Sequence, residues 1–387
     1  MSIYFDHAAT TPLSEAAAAA LIEQMRKLGN ASSLHTPGRS VRKDVEEARE
    51  LIGQLVGAAP SEIVFTGSGT EANNLAIKGF YWKARDLNPR CKVIVISEFE
   101  HHAILDPVEW LEEHEGAEII RIPITATGFV DLNFLSQVVT TRGDEIAVIA
   151  VMHSNNEIGT IQPIAEIVKI AGDIPVHSDA VQSFGKVDFN FAELGLTSAT
   201  ISAHKIGGPL GVAALVLRRG LDVTPILHGG GQERDIRSGT LNAPAIVSFA
   251  AAAKNTIGSM AANDQKVRAL KAELIAALTT EIPDIRVNGA QSPSLPGIVN
   301  LTFPGTESDG LLLLLDAEGI ACSTGSACSA GVPRPSHVLL AMGISERDAR
   351  SSLRFSLGIS NTSAEIAKLA SVISAVVDRA RAALART

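Results

Sequence analysis

Ser202-Ala-His-Lys205-Ile-Gly-Gly-Pro-Leu-Gly211 follows a short apolar segment and sets a lysine beside a serine, a histidine and glycines. A lysine amine can form a Schiff base with a carbonyl compound. Ser202 and His204 could hold a phosphate next to it. Taken alone, Lys205 reads more simply as one surface lysine among many. Asp179 shifts the balance. It stands in Val176-His-Ser-Asp179-Ala-Val-Gln182, at the end of another apolar run. Pyridoxal phosphate needs an acidic partner for its pyridine nitrogen, because the protonated ring is the electron sink. Gln182 could bond the ring hydroxyl. The competing reading of Asp179 is a helix N-cap.

Thr66-Gly-Ser-Gly-Thr-Glu71 joins an apolar run to a helical one. Glycines let backbone N–H groups approach an anion, and the start of a helix favours negative charge. A phosphate is the natural guest of Gly69 and Thr70. Gly67 to Ala72 also matches the dinucleotide pattern GxGxxA, which keeps an NAD-dependent dehydrogenase in view. Glu98 and Glu100 lie somewhat beyond the spacing expected of a ribose-binding carboxylate. His101, in Glu100-His-His-Ala103, could stack on a flat ring and move protons near neutral pH. His101 and His102 make a poor metal pair, since neighbouring histidines point apart and no CxxC or HExxH accompanies them; no metal is expected. Cys322-Ser-Thr-Gly-Ser-Ala-Cys328-Ser-Ala-Gly331 is rich in small residues. Cys328 there suits a nucleophile that must travel, whereas Cys322, after Gly319-Ile-Ala321, suits a buried inert thiol. Arg354 could grip a substrate carboxylate with two hydrogen bonds, or form a structural ion pair.

These residues must be positioned by regular elements. Glu62–Phe65, Lys92–Ile96, Ile146–Met152, Pro175–Asp179, Ala199–Ser202 and Val212–Leu217 read as buried strands. Strands apolar along their whole length predict a mainly parallel sheet covered on both faces by helices. The polar clusters fall at the carboxyl ends of those strands, where open α/β sheets bind ligands. Ala243–Leu278 is Ala-rich and helical in pattern. Val299–Phe303 and Leu353–Leu357 then alternate as strands, and Thr362-Ser-Ala-Glu365 predicts a capping box before a last helix carrying Ile366, Leu369, Ile373, Val376 and Ala380. The change of character places a domain boundary near residue 255.

The 387 residues exceed one ordinary core. A net charge of −9 argues against a nucleic-acid partner. Three cysteines are too few for a disulfide framework, so a reduced, cytoplasmic setting is expected. No signal peptide or membrane-length apolar run is evident in the sequence.

As a set, these segments resemble the cysteine desulfurases, within the fold-type I pyridoxal-phosphate enzymes. Tyr4-Phe-Asp-His-Ala-Ala-Thr-Thr-Pro12, Asn30-Ala-Ser-Ser-Leu-His35, Phe65 to Asn74, Met152 to Gly159, Ser202 to Lys205 and His228 to Thr240 carry the resemblance in the family's order. It implies an α/β fold with a large cofactor-binding domain over 15–255. A smaller α+β domain, over 1–14 and 256–387, would carry the Cys328 loop. It further implies that Lys205 carries pyridoxal phosphate and that Gly69, Thr70, Ser202 and His204 hold its phosphate, with Thr240 reaching over from the other subunit of a homodimer. Asp179 would face the pyridine nitrogen and Gln182 the ring oxygen, with His101 stacked on the ring and handling the thiol proton. Asn155 and Arg354 would receive the carboxylate of L-cysteine, and Cys328 the sulfur. The Ser-Ala-Cys-Ser loop resembles that of the nitrogenase- and housekeeping-type group. The persulfide would then pass to an iron–sulfur scaffold or another sulfur carrier. Selenocysteine lyase, on the same scaffold, is the nearest alternative; an aminotransferase or simple lyase would ignore Cys328. His7 and Ala31 replace an Asn and a Pro common in the family. The chain ends at Thr387, soon after its last helix, which lowers the expectation of a tail that docks a scaffold protein.

Overall fold

The structure, a computed structural model, describes residues 3–289, 293–325 and 334–385. Its strands are β1 Ile3–Tyr4, β2 Ile63–Thr66, β3 Val93–Ser97, β4 Glu118–Ile122, β5 Ile146–Ala150, β6 Val176–Asp179, β7 Ser198–Ser202, β8 Ala213–Leu217, β9 Arg286–Asn288, β10 Ile298–Thr302, β11 Ile320–Ala321 and β12 Ser352–Ser356. Seven of them form one sheet in the order β2-β8-β7-β6-β5-β3-β4. Its pairs are parallel except those of β8, which runs antiparallel to β2 and β7. Successive side chains in a strand point to opposite faces. Val93 and Val95 accordingly enter one core, and Ile94 and Ile96 another. Helices cover both faces, which explains why these strands carry no polar alternation.

The chain runs from β3 out to the edge strand β4, then returns to lay β5 on the other side of β3. Connections after β3 and β5 therefore diverge, and a crevice opens at their carboxyl ends. β4 was not legible in the sequence pattern. It is half-buried and carries Glu118 and Arg121, as an edge strand with one protected face does. The Ala-rich stretch after residue 243 is two helices, Ala243–Gly258 and Met260–Glu281, and not one continuous run. Ser259 leaves helical geometry between them, at φ −110° and ψ 5°. The first helix packs on Glu15–Met25 and Thr36–Val56, the second on Ser363–Leu384.

A second sheet, β12-β10-β9, is antiparallel. Its core joins Leu301 and Phe355 to Leu274, Leu369, Ile373 and, from the start of the chain, Phe5. The last helix begins with a full capping box: Thr362 accepts from the Glu365 N–H, and Glu365 accepts from the Thr362 N–H at 2.8 Å. Val338, Leu339 and Met342, though late in the chain, pack into the core of the large sheet.

The outer edge of β2 is closed by an ion pair. Arg49 binds Glu233 through both terminal guanidinium nitrogens, at 2.7 and 2.8 Å. Arg49 also donates to the Ile63 carbonyl, and Glu233 accepts from the Phe65 N–H, each at 2.8 Å. The pair thus supplies the donor and the acceptor that a further strand would have offered. Both side chains are buried. Glu233→Ala leaves the buried Arg49 guanidinium only the exposed Glu46 as a carboxylate partner and should cost about 3–5 kcal/mol in urea unfolding, while Arg49→Met with Glu233→Leu should recover most of that loss.

Glu100 closes the top of the crevice. It accepts from the Met152 N–H at 2.7 Å and from the Ser97 hydroxyl. Its other oxygen is buried without a partner among the described residues. Burial pushes this carboxyl up to about 8. The fold therefore favours the protonated acid, and the stability so gained is present below the ordinary carboxyl range and lost as pH rises through about 8. Thermal unfolding of Glu100→Gln should accordingly lose less stability than the parent between pH 6 and pH 9, as chosen measurement points spanning about that transition; identical slopes would refute a protonated Glu100.

Candidate active site

A cavity of about 390 Å³ opens at the carboxyl ends of β3, β5, β6 and β7. Lys205 enters it from a single 3₁₀ turn, Ala203–Ile206, that directly follows β7. Its Nζ donates to the carbonyls of Ala8 and Ala9, at 2.6 and 2.7 Å. Those carbonyls belong to an N-terminal strap. The Thr11 N–H donates to His204 O and the Ser14 N–H to Gly207 O, so the strap and the lysine turn are laced together. Gln182 joins the same knot, donating to Ala8 O at 2.9 Å and accepting from Lys186 at 3.1 Å.

Asp179 ends β6 and lines the cavity. One carboxylate oxygen accepts from the Val181 N–H at 2.9 Å, the other from Asn73 at 2.7 Å. Asn73 was passed over in the sequence, although two adjacent asparagines inside a helix are a signal, since Asn is a weak helix former. Gly69 and Thr70 open the helix Gly69–Leu87, capped by Ser68, and line the cavity beside Ser202 and His204. Their N–H groups belong to the first helical turn, which has no intrahelical acceptors. A Cβ on Gly69 would stand 3.1 Å from Val181 Cγ2, so glycine keeps this wall low. Arg237 clamps the loop from outside by gripping Glu71 at 2.6 and 3.2 Å.

His101 lines the cavity and caps the helix His102–Glu115, its Nδ1 accepting from the Ala103 N–H at 3.0 Å. Burial lowers its pKa, opposed by Asp179 and helped by Lys205. The neutral ring therefore carries its proton on Nε2. Burial likewise lowers His204 to about 4, with Lys205 and Lys186 adding to the effect. Arg354, on β12, lines the opposite wall. It pairs with Asp6 at 2.8 Å and donates to Asn156 O at 3.0 Å, while its buried Nε has no partner among the described residues. The structural ion pair is thus present, and the same guanidinium stands on the cavity wall.

Asn155 does not line the cavity. Its amide is spent on Phe99 O and on the N–H groups of Glu157 and Ile158, and its neighbour Asn156 takes the wall position. Thr240 is exposed and also stands away from the cavity of its own chain. Gly325 lines the cavity, with φ +85°, and Ser336, two residues after the described chain resumes, bonds Glu157 at 2.5 Å. Cys328 lies between them, outside the described residues. Among the described residues no metal-binding cluster forms, and no helix is long and apolar enough to cross a membrane. Glu100 is walled in against Met152 and Ser97, unsuited to a ribose.

The donor set fits pyridoxal phosphate: a helix start with hydroxyl and imidazole groups for a dianion, a carboxylate for a ring nitrogen, and a lysine between them. Residues 3–369 match the family model described as aminotransferase class-V. An IscS-like cysteine desulfurase of Mycobacterium tuberculosis is 49% identical, over 98% of this chain and 97% of the relative. The cysteine desulfurase IscS of Dictyoglomus turgidum is 42% identical, over 98% and 95%. Among solved structures, a NifS-like protein superposes with a TM-score of 0.89 at 32% identity, over 98% of this chain and 100% of the other. A NifS-like protein from Rickettsia africae gives 0.88 at 34%, over 98% and 100%. With similarity running almost end to end, and nearly half the residues shared with one named desulfurase, the chain belongs to the cysteine desulfurases, pyridoxal-phosphate-dependent enzymes of the class-V aminotransferase family.

Proposed function

We propose that this enzyme takes sulfur from L-cysteine onto Cys328 and works as a cytoplasmic homodimer that hands the sulfur to an iron–sulfur scaffold or another carrier protein. The observation that carries this reading is the convergence of Lys205, Asp179 and Arg354 on one cavity that the Cys328 segment borders at Gly325. Bound pyridoxal phosphate supplies an aldehyde for amines and an electron-poor ring that stores the electrons left when a substrate loses a proton.

The chain's own residues do the rest. Lys205 anchors the cofactor and, once displaced by substrate, moves the α-proton with its amine. Asp179, held by two N–H donors, is aimed at the ring nitrogen. Gly69, Thr70, Ser202 and His204 take the phosphate, and in a dimer the exposed Thr240 completes the cradle of the other subunit. Gln182 reaches the ring oxygen through the amide that also binds Ala8. Arg354 receives the substrate carboxylate on its partnerless Nε side. Asn155, with its amide committed, serves the substrate by shaping the turn that presents Asn156.

Cys328 is the acceptor that the other cysteines leave. Cys322 is buried, and burial with nearby Asp6 pushes its thiol up to about 12, so it stays protonated. Cys91 precedes β3 and so sits at the opposite end of the sheet from the cavity. As thiolate, Cys328 attacks the substrate sulfur; an S–S bond forms, the Cβ–S bond breaks, and its electron pair stays with the alanine fragment. His101 stacks on the ring and meets the thiol proton. Accepting that proton at Nδ1 requires the ring to release the Ala103 N–H, so proton uptake and the helix cap are coupled.

Cys328→Ala should keep the yellow cofactor and lose alanine formation by at least about a hundredfold; normal turnover would refute the assignment. Arg354→Lys keeps the charge but loses the fork, and should raise the KM for L-cysteine at least about tenfold with a smaller change in kcat.

A further inference from the structure

Behind Asp179 a buried line of polar groups extends away from the cavity. Asn73 donates to Asp179 at 2.7 Å, and its carbonyl oxygen lies 3.0 Å from His177 Nε2. His177 Nδ1 lies 2.8 Å from the Ser198 hydroxyl. His177 and Ser198 face each other across β6 and β7. His177 and Ser198 are fully buried and Asn73 is 1% exposed. Such a line is costly to bury unless each group is satisfied.

The direction of every hydrogen bond follows from its end. Asp179, as a carboxylate, only accepts, so Asn73 must present its nitrogen to Asp179 and its oxygen to His177. That oxygen also only accepts, so His177 must carry its proton on Nε2. Burial lowers His177 to about 3, which keeps the ring neutral and leaves Nδ1 bare to accept the Ser198 proton. Ser198, His177 and Asn73 therefore all donate in one direction, toward Asp179.

We infer that Asn73, His177 and Ser198 are positioning residues that hold the Asp179 carboxylate aimed at the pyridine nitrogen of the cofactor. The inference rests on the assignment of Asp179 to that nitrogen. A line serving only to stitch the helix Gly69–Leu87 to the sheet would have no need of a fixed direction, and its loss would change stability alone.

The test uses the holoenzyme and an isosteric pair. Glutamine can place a donor where Nε2 stands, and asparagine cannot reach it. His177→Asn and Asn73→Leu should weaken pyridoxal phosphate binding about tenfold and move the absorption band of the lysine-bound cofactor, while His177→Gln restores both toward the parent. Unchanged affinity and band in His177→Asn and Asn73→Leu, with only a lowered Tm, would overturn the inference. Asp179→Asn separates the two layers. If it too leaves the band and affinity unchanged, the assignment of Asp179 falls, and this inference with it; if it alters them while the other variants do not, only the inference falls. Should His177→Asn fail to fold, ¹⁵N-histidine spectra of the parent decide: an Nε2–H ring upholds the inference and an Nδ1–H ring overturns it.

Discussion

The grip of two backbone carbonyls, Ala8 and Ala9, on the Lys205 amine is the constraint on which this active site depends. A lysine has a long flexible stem and a compact charge, so its amine goes where its acceptors are. Here the acceptors lie on a short strap that is itself tied at both ends. Upstream, β1 pairs with β11, Phe5 sits in the core of the second sheet, and Asp6 binds Arg354. The Ala8 N–H reaches Ser356 at 2.8 Å. Downstream, Thr11 and Ser14 bond the lysine turn. One strand of chain thereby sets the distance between the amine at the end of β7 and the guanidinium on β12. Reactive groups from two sheets can then serve one small substrate.

Electrostatics at the site are built by subtraction. The protein is acidic, with a net charge of −9, yet the cavity suits two anions, a phosphate and a carboxylate. The histidines beside it do not do this by carrying charge. Burial keeps His204 neutral at about 4 and His177 at about 3, and lowers His101. Lys186 is brought down to about 7 by burial, then by Lys205 and Arg354. Neutral imidazoles still donate hydrogen bonds, and a helix start donates without any net charge. The lysine and the arginine that line the cavity among the described residues are Lys205 and Arg354. An extra cation near Asp179 would compete with a protonated ring for the same carboxylate.

The sequence exposed this plan unevenly, for physical reasons. Buried strands of the large sheet are continuous apolar runs, and Ile63–Thr66 or Ile146–Ala150 could be read within a residue or two. The last helix announced itself through its capping box, which needs only local residues. β4 was hidden because an edge strand keeps charged residues, and β1 and β11 because two-residue strands have no period. Cavity-lining residues carried by local glycine and polar clusters, such as Gly69, Asp179 and Lys205, were legible. Those defined by contacts across the chain were not: Asp6 meets Arg354 over 348 positions, and Asn73 meets Asp179 over 106. No window of sequence contains both partners of such a bond. Asn155 illustrates the same limit from the other side. Its type suits a carboxylate, but only coordinates reveal that its own turn consumes the amide.

The described residues that flank the Cys328 segment are set by the same constraints. Ser323 pairs with Arg354 backbone to backbone, so the chain leaves β12 beside the residue that would hold the substrate. Beyond that segment, Ser336 is bound to Glu157, and the His337 ring bonds the Glu100 carbonyl next to His101. Both anchors belong to the loops that diverge after β3 and β5 and create the crevice. A Cβ on Gly325 would stand 2.7 Å from Glu157, so the first anchor also needs a residue without a side chain. The described residues on both sides of the Cys328 segment are thus held in place. The fixed ends are what this fold supplies, and they are made from the same residues that build the binding walls.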